Sequence, residues 1–374
     1  MSPRLTILQD LTAQLHQVLP DLRMSRVRPL AQLVVGLLWA ESVSLPRIAA
    51  DVPGDATDPS RERRFRRWLS NHAIDPQAIW QDLLPVLLAH LITQQKVILV
   101  FDPTPLDTRA SILCFGLVHG HRVLPLAWRI VPQQDGTWER SQDDLMRELM
   151  AEIAAQMPAT CAVTLVVDRQ MGGTAVLDAC LAVGWHLVAR IKAPRTQPIY
   201  WRSGPAAPRQ PIWDLVTKPG QHWGGEVQLY PSRGWRPVGL TIWWDKGADG
   251  PWILISDRPG GRACAHDYRR RVRCEATYED CKSRVFHLEA TKLSTLERID
   301  RLLLALHLAY WWAMRLGQAA IRQGERHRYD RRDRRELGVV RLGLCSLNAT
   351  ERAGKRIRRF FACRHGQWFV PGLR

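Results

Sequence analysis

Residues 96 to 104 are Lys-Val-Ile-Leu-Val-Phe-Asp-Pro-Thr, and residues 96–101 of this stretch form a continuous apolar run that stops at an aspartate, Asp102. A run without alternation is typical of a strand that is buried on both faces. The run Val-Thr-Leu-Val-Val at 163 to 167 has the same character and stops at Asp168. Because sheet proteins place functional groups at the ends of strands, these two runs predict an acidic site on a central sheet.

The segments around these runs alternate between strand and helix patterns. Residues 112–119 and 122–131 predict a hairpin, 141–157 and 172–183 predict helices, and 185–192 predicts a further strand. The resulting order is β-β-β-α-β-α-β over residues 93 to 193. A ribonuclease-H-like core has the same succession of strands and helices. It is an α/β fold in which a mixed sheet carries acidic residues on adjacent central strands. We therefore expect residues 93–193 to be the first part of a catalytic core.

The first 92 residues predict a helical domain. Leu30 to Trp39 and Trp80 to Leu88 have helical spacing, and the second of these segments is expected to break or kink at Pro85. Between them, residues 60–69 predict a basic helix with Ser60 as its N-cap. Its Arg63, Arg64 and Arg67 flank an apolar stripe, which indicates a small DNA-binding unit, although such charge runs are usually solvated surfaces.

The rest of the chain divides into three stretches. Residues 194–250 are rich in Pro, Gly and Trp and predict a β-rich insertion, with strands at 226–230 and 237–244. Residues 251–320 return to the core, with a long helix that opens near Asp267 and another from 296 to 323. Residues 321–374 hold fifteen Lys and Arg against five Asp and Glu, which indicates either a DNA-backbone surface or a solvated segment.

The charge of the chain indicates its class of partner. Fifty-three Lys and Arg against 36 Asp and Glu leave a net charge of +17 over 374 residues. Such a surplus favours a polyanion, because neutralised phosphates release condensed counterions. No free-standing amphipathic anchor accompanies it, so a membrane is not an expected partner. The eight cysteines lack zinc-type spacing, and Met1 to Leu5 lacks the start of a signal peptide, so we expect a cytoplasmic protein.

One predicted helix carries four polar residues at regular spacing. Tyr268, Glu275 and Lys282 are seven residues apart, and Arg271 lies four before Glu275, so all four project on one helix face. A phenol, a guanidinium, a carboxylate and an ammonium together suit a phosphodiester substrate better than a hydrophobic core. The cations are expected to hold DNA phosphates.

Three carboxylates that converge repel one another and require cations between them. Asp102, Asp168 and Glu275 therefore predict a site for two Mg²⁺ ions, which Mn²⁺ can replace, since both prefer oxygen ligands with open positions. Two such ions activate an attacking oxygen and stabilise a leaving one. Glu279, one turn after Glu275, is the alternative third ligand, although it breaks the spacing to Tyr268 and Lys282.

The spacing Y-x2-R-x3-E-x6-K from Tyr268 to Lys282 resembles the signature of bacterial insertion-sequence DDE transposases, the IS-four-like group. Asp102-Pro-Thr104 is similar to the D-x-T motif of that family, and Asp168-Arg169 to its D-R motif. The resemblance covers about residues 60 to 315. It implies that Asp102, Asp168 and Glu275 are the catalytic metal ligands, and that the Tyr, Arg and Lys of the signature, with Arg169, contact DNA.

The resemblance also bears on the tryptophans of the insertion. In relatives that form a DNA hairpin, aromatic residues of the insertion stack on a flipped base. Trp243 and Trp244 are the candidates for this contact with DNA, and Trp223 is a third; the alternative is that they pack the insertion against the core.

The resemblance implies cut-and-paste transposition. Cleavage at the terminal inverted repeats, followed by strand transfer into target double-stranded DNA, needs two ends at one target, so we expect a homodimer on DNA. The alternatives are a domesticated, catalytically silent DNA-binding protein and a metal-dependent nuclease that cuts without joining.

Overall fold

The computed structural model describes residues 2–89, 91–92, 95–134, 137–138, 140–355 and 360. The chain begins with five helices that pack on one another. The helices are α1 (Pro3–Val18), α2 (Met24–Ala40), α3 (Leu45–Asp51), α4 (Asp58–Leu69) and α5 (Pro76–Ala89).

The second helix is the centre of this group. Every residue of α2 from Pro29 to Ala40 except Gln32 is buried, as expected for a helix that is apolar nearly all round. Gly36 allows α3 to pack closely, because a Cβ atom there would lie 2.6 Å from Ile48 Cγ2. This close approach packs α3 directly on α2.

Two local predictions for these helices, a break at Pro85 and an N-cap at Ser60, are wrong. The helix α5 runs through Pro85 without a break, and its neighbours Leu83, Leu84 and Val86 are buried, so packing outweighs the missing backbone donor. The helix α4 begins at Asp58, so Ser60 lies inside its first turn and is not the N-cap.

A nine-stranded mixed sheet follows. Its first strands are β1 (Lys96–Pro105), β2 (Ala110–His119), β3 (Arg122–Gln134), β4 (Thr137–Trp138), β5 (Ala162–Val167) and β6 (His186–Arg190). Two helices, α6 (Gln142–Gln156) and α7 (Thr174–Ala182), connect the parallel strands. The predicted order of strands and helices is found, with the two-residue strand β4 as an unpredicted addition before α6, and the predicted adjacency of β1 and β5 is confirmed.

Side chains of the central strands alternate between two covered faces. In β1, Leu99 and Phe101 belong to the main core, whereas Ile98 and Val100 belong to two small clusters on the opposite face. A strand residue two positions later points to the same side. Asp102 therefore shares a face with Ile98 and Val100, and Asp168 shares it with Val166.

The predicted insertion contains strands, and its two longest ones extend the main sheet. They are β9 (His222–Leu229) and β10 (Arg236–Trp243), and β11 (Trp252–Ser256) joins them to β6. The order of the strands in the nine-stranded sheet is β4-β3-β2-β1-β5-β6-β11-β10-β9. A separate two-stranded ribbon is formed by β7 (Tyr200–Trp201) and β8 (Gln210–Pro211).

The helix expected near Asp267 is segmented. It begins earlier, as α8 (Arg262–Arg269), tightens to a 3₁₀ turn at 270–272, continues as α9 (Arg273–Glu279), and ends in a π turn at 280–284. Such changes of helix type are frequent at functional sites. The helices α10 (Leu296–Arg322) and α11 (Val339–Arg352) complete the fold.

An aromatic cluster joins the sheet to helices from both ends of the chain. Trp128 of β3 lies edge-on to Trp80 of α5 at 5.2 Å and to His307 of α10 at 4.4 Å. Its Nε1 donates to Asp300 Oδ1 at 2.6 Å. Trp80 also contacts Trp311 of α10.

No single helix among the described residues is long and apolar enough to cross a membrane. The pair α2 and α3 reaches that length and composition only together, with a bend of 94° between them.

Candidate active site

The two aspartates stand side by side because of the strand register. In the parallel pair of β1 and β5, Phe101 is opposite Val167, so the residues that follow, Asp102 and Asp168, are neighbours on the same face of the sheet. Each side chain is partly buried, at 17% and 25% exposure. The segmented helix α8–α9 covers this face.

Arg271 lies between the two aspartates. Its Nη1 is 3.2 Å from Asp102 Oδ1, and its Nη2 is 3.2 Å from Asp168 Oδ2. Burial alone would lower the pKa of this guanidinium, but the two carboxylates raise the pKa above its usual value. A single buried cation therefore balances the two carboxylates.

Glu275 is the third carboxylate near this guanidinium. Its Oε1 is 3.6 Å from Arg271 Nη2, and 57% of its side chain is exposed. Glu279 lies one turn further along and pairs with Arg284 at 3.0 Å. The structure therefore directs Glu275, but not Glu279, toward the cation that the aspartates share.

The other two residues of the spacing pattern contact the same region. The hydroxyl of Tyr268 donates to Asp168 Oδ1 at 3.0 Å, and burial, together with Asp168, raises its pKa to about 12. The ammonium of Lys282 donates to the carbonyl of Pro105, at the end of β1, at 2.7 Å and lies 3.2 Å from Glu289.

The two aspartates differ in acidity. Burial raises the pKa of Asp102 to about 6, despite the opposing charge of Arg271 and a contact of 3.5 Å with Cys274 Sγ. Burial also tends to raise the pKa of Asp168. The hydrogen bond from the backbone N–H of Arg169 and the charge of Arg271 outweigh this effect, so the pKa of Asp168 is lowered.

The raised pKa predicts a pH-dependent stability in the absence of divalent cations. The folded protein holds the Asp102 proton up to about pH 6, whereas the unfolded chain releases it near 3.8. The contribution of the Asp102 carboxyl to the free energy of unfolding is therefore fully present below about pH 4. It is lost as the pH rises through 6, and the loss is at most about 3 kcal/mol. We expect urea unfolding in the presence of a chelator to show that the free energy of unfolding falls less with rising pH for Asp102→Asn than for wild type. Equal pH dependence of the two proteins would contradict the assignment.

The donors present suit a hard cation. No three His, Cys, Asp or Glu side chains within the described ranges already stand close enough together to hold an ion. Three carboxylates do approach one positive group, the guanidinium of Arg271, and all their donor atoms are oxygens. The chemistry of this donor set fits Mg²⁺ or Mn²⁺, provided that Arg271 gives up its contacts.

The predicted DNA-contacting arginines lie in two places. Arg169 is exposed beside Asp168, next to the carboxylate pair. Arg63, Arg64 and Arg67 lie on α4; Arg63 and Arg67 are exposed, and Arg64 is half-buried. Arg61 of the same helix is buried and donates to the carbonyls of Ala49, Gly54 and Ala56, so it serves the fold.

The tryptophans of the insertion are half-buried, and each contacts the protein. Trp243 stacks on His222 at 3.7 Å and donates to Asp245. Trp244 donates to the carbonyl of Ala248, and Trp223 packs against Trp201. These partners all belong to the insertion. The rings also pack against the core, Trp223 and Trp244 on the main cluster and Trp243 on the small cluster that contains Tyr268, which favours the packing alternative in the DNA-free protein.

Two residues near the aspartates were missed by the sequence analysis. Arg190 ends β6 next to Asp168, because β6 pairs Ala189 with Val167, and its charge helps to lower the pKa of Asp168. Cys274, just before Glu275, is buried against Asp102. The pairing of β6 with β5 places Arg190 beside Asp168, and this placement can be inferred only when the register of β6 is known.

Arg190 also lines a basic cleft at the ends of the strands. The cleft has a volume of about 500 Å³, and its other polar lining comes from Arg169, Lys192, Arg195 and Trp213. A basic surface therefore begins beside the two aspartates and extends along this edge of the sheet.

Part of the chain is similar in sequence to a known protein family. Residues 139–312 match the family described as transposase DDE domain. The match includes Asp168 and the four residues from Tyr268 to Lys282, whereas Asp102 precedes it. No curated protein sequence gives a significant match to the chain. The mixed α/β fold is compatible with that domain, and the family match supports a DDE transposase, an enzyme that acts on DNA.

Proposed function

We propose that this chain is an insertion-sequence transposase that cuts DNA at transposon ends and transfers the freed strands into target DNA. The observation that carries the proposal is the approach of Asp102, Asp168 and Glu275 to one cation, Arg271. On this proposal, residues 93–193 and 251–320 form a ribonuclease-H-like catalytic core, interrupted by 194–250. Residues 1–92 bind DNA, and 321–374 form a basic extension.

The three carboxylates would hold the metal. When bound there, two Mg²⁺ ions, or Mn²⁺ in their place, would activate the attacking oxygen and stabilise the leaving oxygen. The low pKa of Asp168 keeps that carboxylate ionised. Asp102, with a pKa of about 6, is mostly ionised at neutral pH and becomes more acidic beside a divalent cation.

Arg271 changes partners in this proposal. In the free protein its guanidinium lies between the aspartates, where it lowers their repulsion. Metal would take over that charge balance and release Arg271 to bind a phosphate in a bidentate manner. Tyr268 and Lys282 border the same site and would hold adjacent phosphates, and Arg169 would extend this contact.

The DNA partner follows from the reaction. The substrates are double-stranded DNA with terminal inverted repeats and a double-stranded target, and a homodimer brings two ends to one target. Trp243 or Trp244 would stack on a base if the DNA displaces its present contacts. We place the protein in the bacterial cytoplasm, on the nucleoid.

The test is a cleavage and joining assay with the full chain. Linear DNA that carries the element's own ends is incubated with a target plasmid in Mg²⁺, in Mn²⁺ or in chelator. We expect cleavage and joining in either metal and neither product in chelator. Cleavage without joining would establish a nuclease instead. Binding of the ends without either product in both metals would establish a silent DNA-binding protein.

A further inference from the structure

A second basic cleft lies in the N-terminal helical region, between the start of α2 and the end of α4. It has a volume of about 660 Å³. Its cationic lining consists of Arg23, Arg26, Arg28, Arg64 and Arg67. Three of these arginines come from α2 or the residue before it, whereas the sequence analysis named only arginines of α4 as DNA contacts in this domain.

The five arginines differ from many cations of the described chain in lacking a carboxylate partner there. None of them forms an ion pair with a carboxylate in the described part of the chain, and no Asp or Glu lines the cleft. On the same helix, Arg66 points elsewhere and pairs with Glu62 at 2.6 Å. The absence of carboxylates is therefore a property of the cleft and not of α4 as a whole.

The two helices that carry the arginines are held together by specific bonds. Trp68 of α4 is buried and donates from Nε1 to the carbonyl of Arg26 at 2.9 Å. Arg26 donates from Nη1 to the carbonyl of Ala73 at 3.1 Å. These bonds fix the spacing of the two basic helix ends before any ligand arrives, which lowers the entropic cost of binding.

Like charges around one cleft repel, and an anion relieves that repulsion. Five guanidinium groups on two helices exceed what one phosphate needs, so the arrangement suits a ligand with several phosphates. A membrane fits less well, because the large exposed hydrophobic residues of the described chain, Leu181, Val272 and Ile321, do not line the cleft.

We propose that this cleft binds successive backbone phosphates of duplex DNA, with arginines from both α2 and α4 making the contacts. The inference rests on the proposed function and extends it, since it assigns Arg23, Arg26 and Arg28 to the DNA surface. Because guanidinium groups contact phosphates irrespective of sequence, the cleft contributes affinity and orientation on the DNA, not base specificity.

The test measures how DNA affinity depends on salt. Full-length protein binds a fluorescent duplex of arbitrary sequence in chelator, over a series of salt concentrations. The cleft variant is Arg23→Gln/Arg28→Gln/Arg67→Gln. The matched control is Arg66→Gln/Arg147→Gln/Arg236→Gln, which removes the same charge from exposed arginines that have carboxylate partners.

Each lost phosphate contact lowers the slope of log affinity against log salt by about one, so we expect the cleft variant to lose about three. The control should keep a slope close to that of wild type. A lysine version, Arg23→Lys/Arg28→Lys/Arg67→Lys, retains the charge and should keep most of the slope. Equal slopes for the cleft variant and the control would overturn the proposal. So would an unchanged DNA slope with loss of binding to phosphatidylserine vesicles.

This result is independent of catalysis. If the slope falls only in the cleft variant and wild type neither cuts nor joins, the cleft stands and the proposed transposase activity fails. If wild type cuts and joins while the slopes are equal, the activity stands and the cleft proposal fails.

Discussion

Replacing Glu275 with glutamine is expected to lower the rate of DNA cleavage in Mg²⁺ by at least about a thousandfold, equivalent to about 4 kcal/mol of activation free energy. The substitution keeps the size of the side chain and removes one of the three charges near Arg271. Because 57% of the side chain is exposed, the fold should not change. The measurement is single-turnover cleavage of an end-bearing DNA, with DNA affinity measured in parallel.

Glu279→Gln is the matched control. It makes the same chemical change one helical turn later, where the carboxylate pairs with Arg284 at 3.0 Å. We expect this variant to cleave within about threefold of wild type, since an exposed ion pair contributes little. If Glu279→Gln is inactive and Glu275→Gln is active, Glu279 is the third ligand and our assignment is wrong.

Replacing Trp128 with alanine is expected to lower the free energy of unfolding by about 3–5 kcal/mol. The ring is fully buried and contacts Trp80 and His307, so its removal leaves a cavity between β3, α5 and α10. The change also removes a hydrogen-bond donor to Asp300, a carboxylate whose pKa burial already raises. Urea unfolding followed by tryptophan fluorescence and circular dichroism measures the loss.

Trp128→Phe separates the two contributions. Phenylalanine keeps most of the ring contact but cannot donate to Asp300, which retains its bond from Gln77 at 3.1 Å. We expect a smaller loss, of about 1–2 kcal/mol. A loss below about 1 kcal/mol for Trp128→Ala would show that this cluster does not hold the sheet to the helices.

Much of the fold follows from local pattern. The apolar runs that end at Asp102 and Asp168 predict buried strands because a strand covered on both faces has no polar alternation, and both strands form. The helical spacing before residue 92 predicts helices, which also form. The two errors, at Pro85 and Ser60, arise because burial and neighbouring turns decide where a helix continues or begins.

The sequence by itself determined which groups are candidates: two strand-end aspartates, and a Tyr, Arg, Glu and Lys at regular spacing. Only the tertiary structure decided how they meet. The register of β1 and β5 makes the aspartates neighbours, and that of β6 adds Arg190 beside them. The packing of α2 against α4 brings together arginines about 40 residues apart. Periodicity reports which side of an element is buried, whereas partners depend on pairing between distant segments, which no local pattern contains.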